Sequence, residues 1–356
     1  MAKSKTTFLA MTKLMDNEKR IDKEEDIQNH IVNCYENLYS QDSIVRPQDT
    51  QHFVRENFTN IVSPWRKKKI LTANPNMEEV KNVVFNMNKH GTLGPDGFGE
   101  FFFQKYWSIV GQDVFAFVEQ FFLQNWIMLG MNSNAIALIP KTTNVVRISD
   151  FRPIGLANFR FKIISKILDD RLEPIANRII SKHQKGFLKG RDIKYCIISA
   201  SEAINLLNEK AFRGCLALKV DIQKAFDTID WNYLISNLMA FGFNIRFCSW
   251  IRTILESTNL SIRVNGNYVG YFKCYKGVRQ GDPLSPLLLC LAEEGLSIGL
   301  QKAFQSNQVK YMTSSSRKIV HSHVLYADDI FIFYCGQKKS LVALNYILDK
   351  YALASG

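Results

Sequence analysis

Val324-Leu325-Tyr326-Ala327-Asp328-Asp329-Ile330-Phe331-Ile332-Phe333 sets two adjacent acids between two apolar runs. Each run has the length and the branched and aromatic content of a strand, so the stretch predicts a hairpin with Asp328 and Asp329 at its tip. Far upstream, Leu216-Ala217-Leu218-Lys219-Val220-Asp221 alternates with period two, with Leu216, Leu218 and Val220 on one face and Lys219 and Asp221 on the other. A third carboxylate thus ends a strand. If the two elements neighbour each other in one sheet, three carboxylates converge, and like charges about 4 Å apart repel by ~4 kcal/mol at an effective dielectric of 20. Divalent cations relieve that repulsion, and two of them can stabilise the attacking and leaving oxygens of an in-line phosphoryl transfer. Asp also favours turns for its own backbone hydrogen bonds, which suffices to explain any one of these acids alone.

Outward from these stretches, strands alternate with helices. Leu260 to Val264 and Asn267 to Lys273 flank Asn265-Gly266, a strong hairpin signal. Trp231 to Phe241 predicts a helix stopped by Gly242, and another opens with Ser285 as N-cap and Pro286 in its first turn. Phe159 to Ile180 predicts a long helix with Ile163, Ile164, Ile167, Leu168, Leu172 and Ile175 on one side, kinked by Pro174. Its other side carries Lys162, Lys166, Arg171 and Arg178. Asn76 caps a helix through Val80, Val83, Val84 and Met87 that stops near Gly91, before the turn Gly94-Pro95-Asp96-Gly97. Val114 to Phe121 marks a further helix, Ala135 to Ile139 a short buried strand, and Leu341 to Tyr351 a closing helix. Residues 1 to 75 read as linker around one amphipathic helix, Asp26 to Tyr39. The fold class that follows is α+β, layered on an antiparallel sheet rather than doubly wound.

The formal charge is +12. Between Lys141 and Lys194, 13 Lys and Arg face 5 Asp and Glu, a concentration suited to phosphate partners, although a solvated helix face explains it equally well. No apolar run approaches a membrane span, and Phe8 to Met11 is too short for a signal peptide, so an intracellular protein is expected, nuclear or cytoplasmic. The seven scattered cysteines include no C-x-x-C pair and predict reduced thiols without a disulfide-linked partner.

Tyr326-Ala327-Asp328-Asp329 resembles the YxDD box of reverse transcriptases, and Val220-Asp221 through Ala225-Phe226-Asp227 resembles the first palm motif of their LINE-type (non-LTR retrotransposon) branch. Arg279-Gln280-Gly281-Asp282-Pro283-Leu284-Ser285-Pro286 is similar to the family's substrate-binding turn and helix. Ile139-Pro140-Lys141 and Asp150-Phe151-Arg152-Pro153-Ile154 are similar to its fingers motifs. Gln184-Lys185-Gly186-Phe187 and the Gly94 turn add lesser matches, so the likeness covers roughly residues 70 to 356. It implies a right-hand polymerase fold with helical fingers over residues 76–210 and an antiparallel palm sheet backed by helices over 211–356, after an N-terminal extension over 1–75. The reverse transcriptase domain proper is expected from about residue 120.

The resemblance further implies RNA-directed DNA synthesis with an RNA template, a DNA primer, deoxynucleoside triphosphates and two Mg²⁺ ions, Mn²⁺ being a substitute. Asp221, Asp328 and Asp329 would hold the metals, with the backbone carbonyl of Ile222 as an extra ligand. Phe226 would exclude a 2′-hydroxyl, Lys141 and Arg152 would clamp the triphosphate, and Gln280 and Gly281 would meet the incoming nucleotide. Lys162, Lys166, Arg171 and Arg178 are expected to contact nucleic acid. Two departures, the paired acids Glu293-Glu294 and Gly155 where Ser is common, point to a decaying copy, so an inactive nucleic-acid-binding remnant is the alternative reading. Phe226 argues against an RNA-dependent RNA polymerase. The family would place a primer-gripping hairpin and thumb after Gly356, so residues 1–356 alone are expected to polymerise poorly.

Overall fold

The computed structural model describes residues 11–16, 18–40, 45–58, 69–143, 145–207, 214–312 and 321–356. The apolar stretch at Phe8 lies outside the described residues except for Met11. None of the described helices is long and apolar enough to cross a membrane.

Two sheets organise the chain. The first joins β3 (Ser133–Pro140), β4 (Phe151–Ala157), β6 (Asn259–Val264) and β7 (Asn267–Lys273) in the order β4-β3-β6-β7. The β6–β7 hairpin forms where Asn265-Gly266 predicted it, with both residues at positive φ, the backbone that a two-residue turn of this kind requires. Its placement was not legible locally: β6 pairs in parallel with β3, Ile136 opposite Ile262, so a hairpin assigned by sequence to the palm completes a sheet with the fingers strands. Residues 76–210 therefore contribute two strands, one more than the sequence reading placed there, alongside their helices. Pro153 sits within β4, which its missing N–H permits because β4 is an edge strand.

The second sheet has the order β5-β9-β8, entirely antiparallel, from β5 (Cys215–Asp221), β8 (His323–Tyr326) and β9 (Asp329–Cys335). Helices back it. The helix α11 (Ser285–Gln305) is buried nearly all round from Leu287 to Leu300, including its two acids Glu293 and Glu294, which fixes it as the central element. Ser285 begins this helix rather than capping it.

Around that centre, α3 (Met77–Asn86) starts as predicted, the Asn76 side chain accepting from Glu79 N at 2.8 Å. Its helical turns stop at Asn86, short of Gly91. The helices α5 (Trp107–Gln124) and α6 (Phe159–Ile179) pack together, and α6 runs through Pro174. Much of the stretch read as linker is ordered and buried. It forms α1 (Glu24–Leu38), the hairpin β1–β2 (Leu14–Asp16, Lys19–Ile21) and α2 (Pro47–Asn57), whose Phe53 packs against Tyr233 and Tyr351. Tyr351 belongs to the closing helix α12 (Lys338–Ser355), so the N-terminal segment locks the end of the chain.

Candidate active site

The pairing of β5 with β9 sets Asp221 opposite Asp329, and Ile222 N donates to the Asp328 carbonyl at 3.2 Å. Asp328 occupies the two-residue turn Ala327-Asp328 between β8 and β9, across which Tyr326 faces Asp329. The three acids that the sequence placed on separate elements thus share one sheet end. Ala327 holds φ at +53°, a left-handed backbone that costs a side-chain-bearing residue about 1–2 kcal/mol.

The charges respond to this crowding. Burial first, and then the charges of Asp329 and Asp221, push the Asp328 carboxyl above the ordinary carboxylate range, with Arg152 pulling the other way. Lys219, on the same face of β5 as Asp221, donates to Asp329 at 3.0 Å, and that hydrogen bond with the three acid charges raises its pKa. An ammonium stands where a cation neutralises the acids. Among the described residues, no three His, Cys, Asp or Glu side chains form a closed metal-ligand cluster. The carboxylates of Asp221, Asp328 and Asp329 nonetheless have the donor chemistry that suits a hard cation, and Lys219 already sets one positive charge against them.

The surrounding residues come from the fingers sheet and two loops. Arg152 is exposed on β4 opposite Ile139, near enough to bias Asp328. Lys141 follows β3, its backbone N donating to Asp150 O at 2.9 Å and its Nζ to Ser149 O at 2.8 Å. The loop before α11 meets β4 backbone to backbone: Gly155 N donates to Gln280 O at 2.7 Å, and a Cβ on Gly281 would lie 2.8 Å from Gly155 O. Gly281 also holds φ at +108°, so glycine is required there on two counts. At Gly155 a Cβ would stand 3.4 Å from Gln280 O, an ordinary contact, so nothing in the structure requires glycine at the position where Ser was expected.

Phe226 lies in the short helix α8 (Ala225–Thr228), half-buried, with its ring edge-on to Phe187 at 5.9 Å between centroids. Its carbonyl accepts from Val278 N at 2.6 Å, and neighbouring Asp227, buried, accepts from Tyr39 Oη at 2.5 Å. The N-terminal extension thereby buttresses the first acidic motif. A cleft of about 510 Å³ opens beside Tyr326, lined by Lys185, Phe187, Lys189, Arg191 and Pro283 among others.

The four cations of α6 differ in exposure and in their partners. Arg171 is 8% exposed and forks onto both Glu79 oxygens at 2.8 and 2.7 Å. Lys162 pairs with buried Glu100 at 3.3 Å, and Lys166 with Asp169 at 2.7 Å and Asp170 at 2.8 Å. Arg171 and Lys162 thus tie α6 to α3 and to the segment at Glu100, whereas Lys166 pairs with two acids of α6 itself. Arg178 is exposed in the last turn.

Sequence reasoning missed four residues at the site. Lys219 was placed on the acidic face without its counter-ion role. Tyr39 lay at the edge of a helix, Gln184 inside a lesser motif, and Glu293 was noticed only as a surplus acid. Tyr39, Gln184 and Glu293 are buried and Lys219 is exposed, but for all four the partner is distant along the chain, where local sequence does not name it.

A family model described as "Reverse transcriptase (RNA-dependent DNA polymerase)" matches residues 139–355. The "Transposon TX1 uncharacterized 149 kDa protein" of Xenopus laevis is 27% identical over 308 residues, 86% of this chain and 23% of that protein. The "Retrovirus-related Pol polyprotein from type-2 retrotransposable element R2DM" of Drosophila melanogaster is 28% identical over 214 residues, 60% of this chain and 19% of that one. A "Probable RNA-directed DNA polymerase from transposon X-element", also of Drosophila melanogaster, is 25% identical over 150 residues, 40% and 16% of the two chains. The chain spans less than a quarter of the length of each of these relatives.

Proposed function

Because the chain belongs to the reverse transcriptase (RNA-dependent DNA polymerase) family, we propose that it supplies the catalytic face of RNA-directed DNA synthesis for a LINE-type element, extending a primer 3′ end with deoxynucleotides. The observation that carries this reading is the β5–β9 register, which brings Asp221 opposite Asp329 and beside Asp328. Asp221, Asp328 and Asp329, with the Ile222 carbonyl, would hold two Mg²⁺ or Mn²⁺ ions. Such ions, when bound, activate the primer 3′ oxygen and neutralise charge on the leaving pyrophosphate.

The chain's own residues would do the rest. Arg152 faces the acidic centre and is suited to a forked contact with triphosphate oxygens, Lys141 to a point-charge contact. Lys219 would release Asp329 as ions and nucleotide enter, since its exposed pair with that acid is weakly held. Gln280 and Gly281 would meet the nucleotide, Gly281 because its bare backbone allows close approach. Arg178 and the Lys185 and Lys189 rim of the cleft would contact nucleic acid, whereas Lys162 and Arg171, paired with Glu100 and Glu79, and Arg191, which donates to four backbone carbonyls, would act by holding α6 in place; Lys166 pairs with acids of its own helix.

Extension of a labelled primer on an RNA template, with and without Mg²⁺, tests the proposal in a protein containing these residues. Metal-dependent addition of deoxynucleotides is expected. Binding of primer–template with no extension would instead favour a nucleic-acid-binding remnant. Phe226 would sit beneath the sugar, propped by Phe187. Phe226→Ala should therefore keep DNA synthesis and raise ribonucleotide incorporation relative to deoxynucleotide by about tenfold or more. Unchanged sugar selectivity in competition assays would return Phe226 to a packing role.

A further inference from the structure

Behind the turn that carries Asp328 stands a side chain with no part in the chemistry above. Residues 183–185 run along the edge of β8 opposite β9: Leu325 N donates to His183 O and Lys185 N donates to Leu325 O, each at 2.9 Å. Gln184, in the middle of this segment, is 1% exposed. Its Oε1 accepts from Ala327 N at 3.1 Å and from Gly186 N at 2.9 Å, while its Nε2 donates to Glu293 Oε2 at 2.8 Å. The segment lies hard against the turn, since a Cβ on Gly186 would come within 2.6 Å of Ala327 N.

Three features make this a clamp rather than ordinary packing. Ala327 holds a left-handed backbone that only glycine adopts freely, and such a conformation persists only where its surroundings over-determine it. Its N–H is buried and Gln184 Oε1 accepts from it, so losing that acceptor leaves an unpaired donor beside a strained residue. The orientation of the amide is also dictated: two backbone donors require the oxygen on one side, and the Glu293 oxygen takes the N–H on the other. Glu293 is itself 1% exposed, with Oε1 unpartnered, so its bond to Gln184 is an important one.

We propose that Gln184 is a positioning residue for the Asp328 carboxylate, bridging the central helix α11 to the strained Ala327 turn so that Asp328 keeps its place beside Asp221. The effect on rate rests on the polymerase reading above, whereas the effect on the turn does not. An amide is required at this position because it alone accepts from the turn and donates to a carboxyl.

Hydrogen–deuterium exchange resolved over residues 324–330, with primer extension and thermal unfolding in parallel, tests this on wild type, Gln184→Met, Gln184→Glu and the swap Gln184→Glu/Glu293→Gln. The Met variant keeps the volume and removes the acceptor. It should speed exchange at Ala327 by about tenfold or more, while β5 stays protected, and lower kcat without a matching rise in KM for nucleotide. Gln184→Glu alone should do the same, since two carboxyl groups then face each other. The swap restores donor and acceptor polarity and should recover most of the protection and rate. Unchanged exchange at 324–330 in the Met variant, loosening spread evenly over the sheet, or a swap no better than Gln184→Glu would each overturn the clamp. A wild-type protein that extends no primer would sink the polymerase reading and leave the exchange result to decide this one.

Discussion

Asp328→Asn should reduce primer extension by about a thousandfold, the loss expected when a metal-assisted transfer forfeits several kcal/mol of charge stabilisation. The substitution keeps the shape of the side chain and deletes its charge. The hydrogen bond from Ile222 N to the carbonyl of residue 328 is made by the backbone and survives, so the turn should keep its geometry. Primer–template affinity, which on the proposed reading rests on phosphate contacts at the cationic rim rather than on the acids, should stay constant or rise slightly as one repelling charge disappears. Filter binding and single-turnover extension on the same preparation separate the two quantities. Parallel loss of binding and extension would mean that Asp328 serves the fold and not the chemistry.

Raising the pH from 5 to 8.5 should lower the stability of the wild-type protein much more than that of Glu294→Gln. Glu294 is buried on α11, and burial pushes its carboxyl from an ordinary 4.5 to about 8, against the opposing pull of hydrogen bonds from Ser181 and the nearby Arg191 charge. Between those values the folded chain keeps a proton that the unfolded chain releases, so unfolding becomes easier as pH rises. The contribution is intact below pH 4.5 and is eroded progressively as pH climbs towards 8. Gln cannot ionise and removes that slope. The variant should match wild type near pH 5 and exceed it by on the order of 3 kcal/mol at pH 8.5. That corresponds to roughly 5 °C in melting temperature. Glu293, also raised by burial, remains in both proteins, and the Glu294 charge raises it further, so the difference between the two curves reports Glu294 together with its coupling to Glu293. Melting curves that stay parallel from pH 5 to 8.5 would show that Glu294 is already ionised in the folded state.

What the sequence disclosed and what it hid divide along the range of the interactions involved. The strand ending at Asp221, the acidic hairpin, the Asn265-Gly266 turn and the Asn76 cap are each specified within a few residues, by alternation, turn chemistry or a side chain that reaches its own backbone. The parallel seam of β3 with β6 has no local signature, because a residue's own neighbours do not name a partner so far along the chain. The helix α2 escaped notice because it buries only Thr50, Phe53 and Asn57 and is otherwise polar. The ion pairs of α6 were hidden for a different reason. A run of Lys and Arg looks the same whether or not carboxylates lie beside it, and the partners Glu79 and Glu100 come from α3 and α4 (Glu100–Lys105), far from Arg171 and Lys162 in sequence.

The order of strands β5-β9-β8 also has a consequence for the newly made protein. Among the described residues β5 has β9 as its one neighbour in the sheet, and the register joins Cys215 to Cys335, 335 − 215 = 120 positions later. At a synthesis rate of about 5–20 residues per second, the first strand waits roughly 6–24 s for its partner to emerge from the ribosome. Throughout that interval Leu-Ala-Leu-Lys-Val is an open edge, the kind of template on which nascent chains pair wrongly with one another. Lys219 in its middle places a charge that discourages such pairing. Ribosome-bound chains arrested before Asp329 should accordingly need a chaperone to stay dispersed, and a message cut short of that codon yields a chain without Asp329 and without the strand that pairs with β5.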